Sequence, residues 1–288
     1  AYQLHEEDYN VGIITTVPHN HATPTAFYAN NVNRDACYEM CLQIPTSGFE
    51  FYAGSGFIDY RGRHNDLRPI DEVIEEGGYK VVYGLNEYDA EVKAGEKVVF
   101  CQESNKEESA GNYVSEGKLA EDVTLGQMLE LGLKHLGTKE PFFFMCEGGK
   151  IDWTAHGNRT MPMIMDILEF DNAISVAYEF YKKHPKETLI VVTADHETGG
   201  VSIGEGKDWR PEIIDWPMLE KHWFESGEKN VLSYEENREM NKKALIGWTS
   251  SHHTAARVPA FAIGKGAEKF AGRIDNAEIK GKILEIVK

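Results

Sequence analysis

Residues 189–200 read L-I-V-V-T-A-D-H-E-T-G-G. Leu189 to Val192 form a continuous apolar run, the pattern of a strand covered on both faces. Asp195 and His196 follow, so a carboxylate and an imidazole are delivered to the C-terminal end of a buried strand. That is where α/β sheets collect ligands, and the pair is a plausible part of a metal site. Gly199 and Gly200 permit a tight turn and a close backbone approach. In isolation the pair is equally compatible with two hydrogen-bonded loop residues, and the surrounding chain has to decide.

Working outward, further β-rich runs alternate with helical patterns. Val11–Val17, Tyr79–Tyr83, Lys97–Cys101, Phe142–Cys146 and Val258–Ile263 read as strands. Met163, Ile167, Phe170, Ile174, Ala177 and Tyr181 keep a helical apolar stripe from about Pro162 to Lys183. Thr124 has the chemistry of an N-cap for a helix carrying Leu125, Met128, Leu129, Leu133 and Leu136, although Gly126 and Gly132 weaken that pattern. Another helix is expected around Ile279, Ile283 and Ile286, and Ala26–Asn33 also reads as helical. The alternation predicts an α/β fold, a three-layer sandwich with a mostly parallel central sheet flanked by helices. One domain is expected over 1–288, with 205–245, which holds Trp209, Trp216 and Trp223, as an inserted lid or crown-like excursion.

The chain has 288 residues and a formal net charge of −17, which disfavours a nucleic-acid backbone as partner. A small phosphorylated substrate stays compatible, because a bound divalent metal can reverse the local sign. No apolar stretch is long enough to span a bilayer, and Ala1–Asn10 has no signal-peptide pattern. Cys37, Cys41, Cys101 and Cys146 are too few for a disulfide framework in a chain of this size.

Three more segments repeat the chemistry of the first. Glu147 ends the run F-F-F-M-C-E, and Asp152 and His156 follow at i, i+4, a spacing that aims both at one point on a helix. Trp248–Pro259 offers His252 and His253, either of which could complete a three-ligand zinc set with Asp152 and His156. Val17–Arg34 offers His21 and Thr23, alternating at a strand end, and Arg34, whose guanidinium fork suits two phosphoryl oxygens. Each has an ordinary explanation by itself: an ion pair, a surface histidine pair, a solvated arginine. Four such clusters beside apolar strands are hard to assign to chance.

In order and spacing, the segments I-T-T-x-x-x-x-H-A-T-P, E-G-G-K-I-D-W-x-x-H, T-A-D-H-E-T-G-G and H-H-T-x-x-x-V-P resemble the alkaline phosphatase family over nearly the whole chain. The resemblance implies phosphate-monoester hydrolysis at a site with two zinc ions (Zn2+) and one magnesium (Mg2+), through a phosphoserine intermediate. It implies Asp152, His156 and His253 as ligands of the first zinc, and Asp195 with His196 as part of the second. His253 is taken over His252 because it directly precedes the motif threonine. Glu147 and Thr23 would serve the magnesium site and Arg34 the substrate phosphate, while His21 stands where members vary between Asp and His. A homodimer and a periplasmic or extracellular location follow from family habit.

The resemblance also implies a metal-bridging Asp in I-G-D-G and a nucleophilic serine in D-S-A, upstream of the T-T segment. This chain contains no G-D-G and no Asp-Ser or Asp-Thr pair. Ser109, in E-S-A-G, lies on the wrong side of the first motif. The chain is therefore expected to be the C-terminal part of a longer enzyme, short of a central strand and inactive alone. Alternatives are a phosphodiesterase or sulfatase of the same superfamily, and a non-catalytic metal- or phosphate-binding fragment.

Overall fold

A computed structural model describes residues 1–105, 122–204 and 233–287. Two compact units can be distinguished, Ala1–Lys150 with Leu168–Ile174, and Ile151–Ile167 with Ser175–Lys288.

The first unit is built on five parallel strands: β1 (Asn10–Thr15), β2 (Phe51–Gly54), β3 (Tyr79–Tyr83), β4 (Lys97–Cys101) and β5 (Phe142–Glu147), in the order β3-β4-β2-β1-β5. Parallel strands need crossover connections, and the helices that supply them flank the sheet, giving the α/β architecture expected from the sequence. Their apolar runs are continuous because both faces are covered: Val11, Ile13, Ile14, Val98, Val99 and Phe100 are fully buried. Strand β2 was not expected. At four residues, closing on a glycine, it is too short to show a period, yet all four are buried.

The helix Leu125–Leu136 begins at a capping box in which Thr124 and Gln127 satisfy each other's backbone N–H groups. Gly132, a weak helix former, sits where a Cβ would lie 2.9 Å from the Phe144 ring and 3.1 Å from that of Phe51. Close helix-to-sheet packing explains it. The segment expected to be helical at 26–33 instead forms a helix at Ala22–Tyr28, so His21 is its N-cap residue and Thr23 lies in its first turn. The two do not alternate along a strand as the sequence suggested. Pro24 explains the shift, since a ring with fixed φ and no N–H is best tolerated in a first turn.

The second unit contains β6 (Leu189–Thr193), β7 (Glu197–Thr198), β8 (Val201–Ile203), β9 (Ile246–Trp248), β10 (His253–Thr254) and β11 (Ala260–Gly264), which form three antiparallel pairs: β6 with β11, β7 with β10 and β8 with β9. A small core joins Met161, Met240, Ala244 and Ile246, with Ile164 and Trp248 against it. The long helix runs Thr160–Lys183, where the stripe predicted it. Its Ile167 is nevertheless 42% exposed. Residues 205–232 of the predicted excursion, including Trp209, Trp216 and Trp223, lie outside the described residues, as does Ser109; the helix Tyr234–Lys243 occupies most of the remainder. Among the described residues no helix is long and apolar enough to cross a membrane.

His135, on the helix Leu125–Leu136, joins that helix to its neighbours. Its Nε2 lies 2.9 Å from the Glu96 carbonyl and its Nδ1 2.8 Å from the Tyr88 hydroxyl. A carbonyl can only accept, so Nε2 carries the proton and Nδ1 accepts from Tyr88. Burial lowers the pKa of His135 below its ordinary 6.5. The unfolded chain therefore takes up this proton first as pH falls, and His135 contributes stability above about 6.5 that is lost on acidification. Unfolding free energies measured across that range should fall less steeply with acid in H135Q than in the wild type.

Candidate metal and phosphate site

In the second unit the clustered side chains are brought together by short backbone ladders. Strand β7 pairs with β10 in the register His253↔Thr198 and Thr254↔Glu197, which sets His253 beside the Asp195–His196 pair. The turn that follows is held by backbone bonds from Gly199 N to the His252 carbonyl and from Thr249 N and Ser250 N to the Gly199 carbonyl. Glu197 accepts from Gly200 N and from the Thr254 hydroxyl. Gly199 and Gly200 adopt φ of +89° and +61°, the left-handed region that glycine enters without a Cβ penalty. A Cβ on Gly200 would lie 1.9 Å from Thr249 Oγ1.

Asp152 and His156 lie on the helix Lys150–His156, with His156 Nε2 3.4 Å from Asp152 Oδ1. His156 Nδ1 lies 2.7 Å from the Ser251 carbonyl, so Nδ1 is the protonated nitrogen and Nε2 presents its lone pair toward Asp152. The segment around Ser250 is anchored in turn: Asn158 Nδ2 donates to the Ser250 carbonyl (2.8 Å), and Trp248 Nε1 to Thr160 Oγ1 (3.1 Å). His253 Nε2 stands 3.8 Å from the same Asp152 oxygen. One ligand atom from each of Asp152, His156 and His253 falls within 4.8 Å of the others.

His196 joins this group. Its ring stacks on His253 with centroids 3.5 Å apart and an interplanar angle of 22°, and its Nε2 is 3.3 Å from Asp195 Oδ2. His252 is placed differently, with its ring 6.5 Å from that of His156 and no counterpart to the His253–Asp152 approach.

Two ligand atoms about 2.0–2.1 Å from a tetrahedral zinc stand roughly 3.4 Å apart. Separations of 3.4 and 3.8 Å, within a group no wider than 4.8 Å, fit such an ion after small side-chain movements. One carboxylate with two imidazoles is also a zinc-type donor set.

In the first unit, Glu147 ends β5 and accepts a 2.5 Å hydrogen bond from Thr15 Oγ1, its register partner on β1. Thr15 is fully buried, and its hydroxyl oxygen also accepts from Val17 N. Arg34 is exposed, beyond the end of the helix Ala22–Tyr28, while His21 and Thr23 are half-buried at its start. The thiol of Cys146, next to Glu147, is pushed up to about 12, first by desolvation and then by the carboxylate, so it stays a thiol at neutral pH.

A family model described as alkaline phosphatase matches residues 106–288. Alkaline phosphatase 4 of Bacillus subtilis (strain 168) is 30% identical over 330 aligned residues, covering 97% of this chain and 68% of the relative. The chain belongs to the alkaline phosphatase family. Alkaline phosphatase 3 of the same organism is 29% identical, covering 95% of this chain and 67% of that relative. Among solved structures, a cold-active alkaline phosphatase from the psychrophile Shewanella sp. superposes with a TM-score of 0.80 at 25% identity, over 100% of this chain and 78% of that one. The alkaline phosphatase of the Antarctic bacterium TAB5 gives 0.75 at 27% identity, over 98% of this chain and 72% of that one. A mutant of the TAB5 enzyme has been solved with Mg bound in its M3 site. Family and fold together support phosphomonoester hydrolysis as the general chemistry.

Two hydroxyls inside the family motifs carry no sign of their partners in the sequence: Thr15, on Glu147, and Thr198, on Asp152. A threonine inside I-T-T or H-E-T-G-G gives no sign of which distant carboxylate it will meet.

The turn geometry makes a paired prediction. Gly200→Ala combines left-handed strain with a clash against Thr249, whereas Gly204→Ala (φ +94°) has strain but nothing within 4 Å of the new Cβ. Strain of this kind costs about 1–3 kcal/mol. Denaturant unfolding should show a loss in both variants and a larger one in Gly200→Ala.

Proposed function

We propose that this chain carries most of the metal and phosphate machinery of a phosphomonoesterase, with zinc held first by Asp152, His156 and His253 and a second zinc partly held by Asp195 and His196. The observation that carries this reading is the convergence of the first three residues on a space of one ion's size. Glu147 and Thr23, with His21 nearby in sequence, are assigned to a magnesium site, in keeping with the Mg bound in the M3 site of the TAB5 mutant. Arg34 is assigned to the substrate phosphate, where two parallel N–H donors match a phosphoryl group. Bound zinc would supply charge stabilisation at the attacking and leaving oxygens. The protein's own part is to orient: Ser251 fixes the His156 tautomer, and Thr15 fixes the Glu147 carboxylate.

The chain supplies no Asp-Ser nucleophile, and its Asp195–His196 pair gives the second zinc only two ligands. We therefore read it as a fragment that binds one zinc firmly and does not turn over alone, the phosphoserine belonging to sequence other than this. The incomplete single domain over 1–288, a homodimer and a periplasmic or extracellular location are part of the same reading. A phosphodiesterase or sulfatase is disfavoured by the presence of both Glu147 and Thr23, the magnesium-type pair of the monoesterases.

Zinc titration of the purified chain with a competing chromophoric chelator should show one tight site, lost in His253→Ala and kept in His252→Ala. Equal losses in both would remove the assignment. Nitrophenyl phosphate should not be hydrolysed in the presence of zinc and magnesium, and full activity would show that the nucleophile has been misassigned. Arg34→Ala should weaken inorganic phosphate binding while leaving zinc content unchanged; a matched loss of both would make Arg34 structural.

A further inference from the structure

Thr198 is 9% exposed and occupies the centre of the ligand cluster rather than its surface. Its Oγ1 lies 2.6 Å from Asp152 Oδ1 and 3.1 Å from His196 Nδ1, and its backbone is the register partner of His253. Two of the side chains assigned above to zinc, Asp152 and His196, therefore meet at one threonine hydroxyl, whose backbone is paired with that of a third, His253.

The proton inventory fixes the direction of each bond. An ionised carboxylate can only accept, so the single hydroxyl proton of Thr198 is committed to Asp152. The hydroxyl oxygen is left with lone pairs alone, and His196 Nδ1 must donate to it. In the neutral ring this puts the proton on Nδ1 and the free lone pair on Nε2, the nitrogen that faces Asp195 Oδ2 at 3.3 Å. The Ser251 carbonyl imposes the same choice on His156.

We propose that Thr198 is a positioning residue: one hydroxyl orients the Asp152 carboxylate and selects the His196 tautomer whose Nε2 is free to take a metal. The proposal rests on the zinc reading for its purpose, but not for its hydrogen bonds. Outer hydrogen bonds of this kind hold a ligand's orientation, and their loss weakens metal binding by roughly 10–100-fold. A threonine that merely packs in the short strand β7 would be replaced by valine without such an effect, since valine keeps the β-branch and nearly the volume.

The test uses the whole chain, labelled with 15N-histidine and held above the imidazole titration range, with the His196 signals assigned by comparison with H196Q. Two-bond 1H–15N spectra should show a metal-free wild-type His196 protonated on Nδ1. T198V should move the population toward Nε2–H and weaken zinc binding about 10–100-fold in the chelator competition. T198S, which keeps the hydroxyl, should restore both. A wild-type His196 protonated on Nε2 overturns the proposal by itself, even if T198V does not fold. So does a T198V protein with the wild-type tautomer and zinc affinity. If the wild type takes up no zinc, the metal reading fails on its own, while the tautomer spectra still decide what Thr198 does to His196.

Discussion

The candidate site depends on a ladder only two residues long on each side, the antiparallel pairing of Glu197–Thr198 with His253–Thr254. Asp152 and His156 can find each other within one helical turn, but His253 reaches them only because this ladder fixes where its backbone runs. So short a ladder has few hydrogen bonds of its own. It is held by what surrounds it: Glu197 accepts from both Gly200 N and the Thr254 hydroxyl, and the Gly199 carbonyl receives two backbone N–H groups from the facing loop. The paired glycines matter because the turn needs two left-handed residues in succession, with Thr249 and Trp248 packed against them.

Ion pairing does not account for the arrangement. His156 and His253 approach Asp152 at 3.4 and 3.8 Å, in a half-exposed setting where such pairs are worth about 0–1 kcal/mol. Holding two imidazoles around one carboxylate costs side-chain entropy and, were the rings to protonate, mutual repulsion. A divalent cation, if held there as proposed, would reverse that balance by giving the ligand lone pairs a common partner. The tautomers agree with this: His156 Nδ1 donates outward to the Ser251 carbonyl, leaving Nε2 for the interior of the cluster.

Much of the fold was legible because its strands are continuous apolar runs. Tyr79–Tyr83 and Lys97–Cys101 have the boundaries that composition gives them; Leu189–Thr193 is a strand as its apolar run predicts, but it is half-buried and paired antiparallel with β11 rather than covered on both faces. Phe51–Gly54 was not legible, since four residues cannot display a period. The helix at Ala22–Tyr28 starts four residues before the helical pattern of 26–33, because the alternation of His21 and Thr23 mimics a strand end while Pro24 takes a first-turn position. At the site, the three side chains that converge, Asp152, His156 and His253, stand in the motifs quoted from the sequence. The hydroxyls that orient the carboxylates were not legible, because Thr15 meets Glu147 and Thr198 meets Asp152 across distances in sequence that no local pattern encodes.

The same hydroxyls limit where a nucleophile could come from. An alcohol that attacks phosphorus must be free to lose its proton toward a base or a metal, with its oxygen lone pair directed at the substrate. Thr198 and Thr254 lie within the cluster, yet each spends its proton on a carboxylate, Asp152 and Glu197 respectively. Thr249 donates to the Gly200 carbonyl, and in the first unit Thr15 is fully buried with its proton on Glu147. Recruiting any of them would break a bond that orients a candidate ligand or the turn beneath it. These threonines are spent on organisation, so the attacking oxygen of a phosphomonoesterase built on this scaffold has to be supplied by a residue with no such duty.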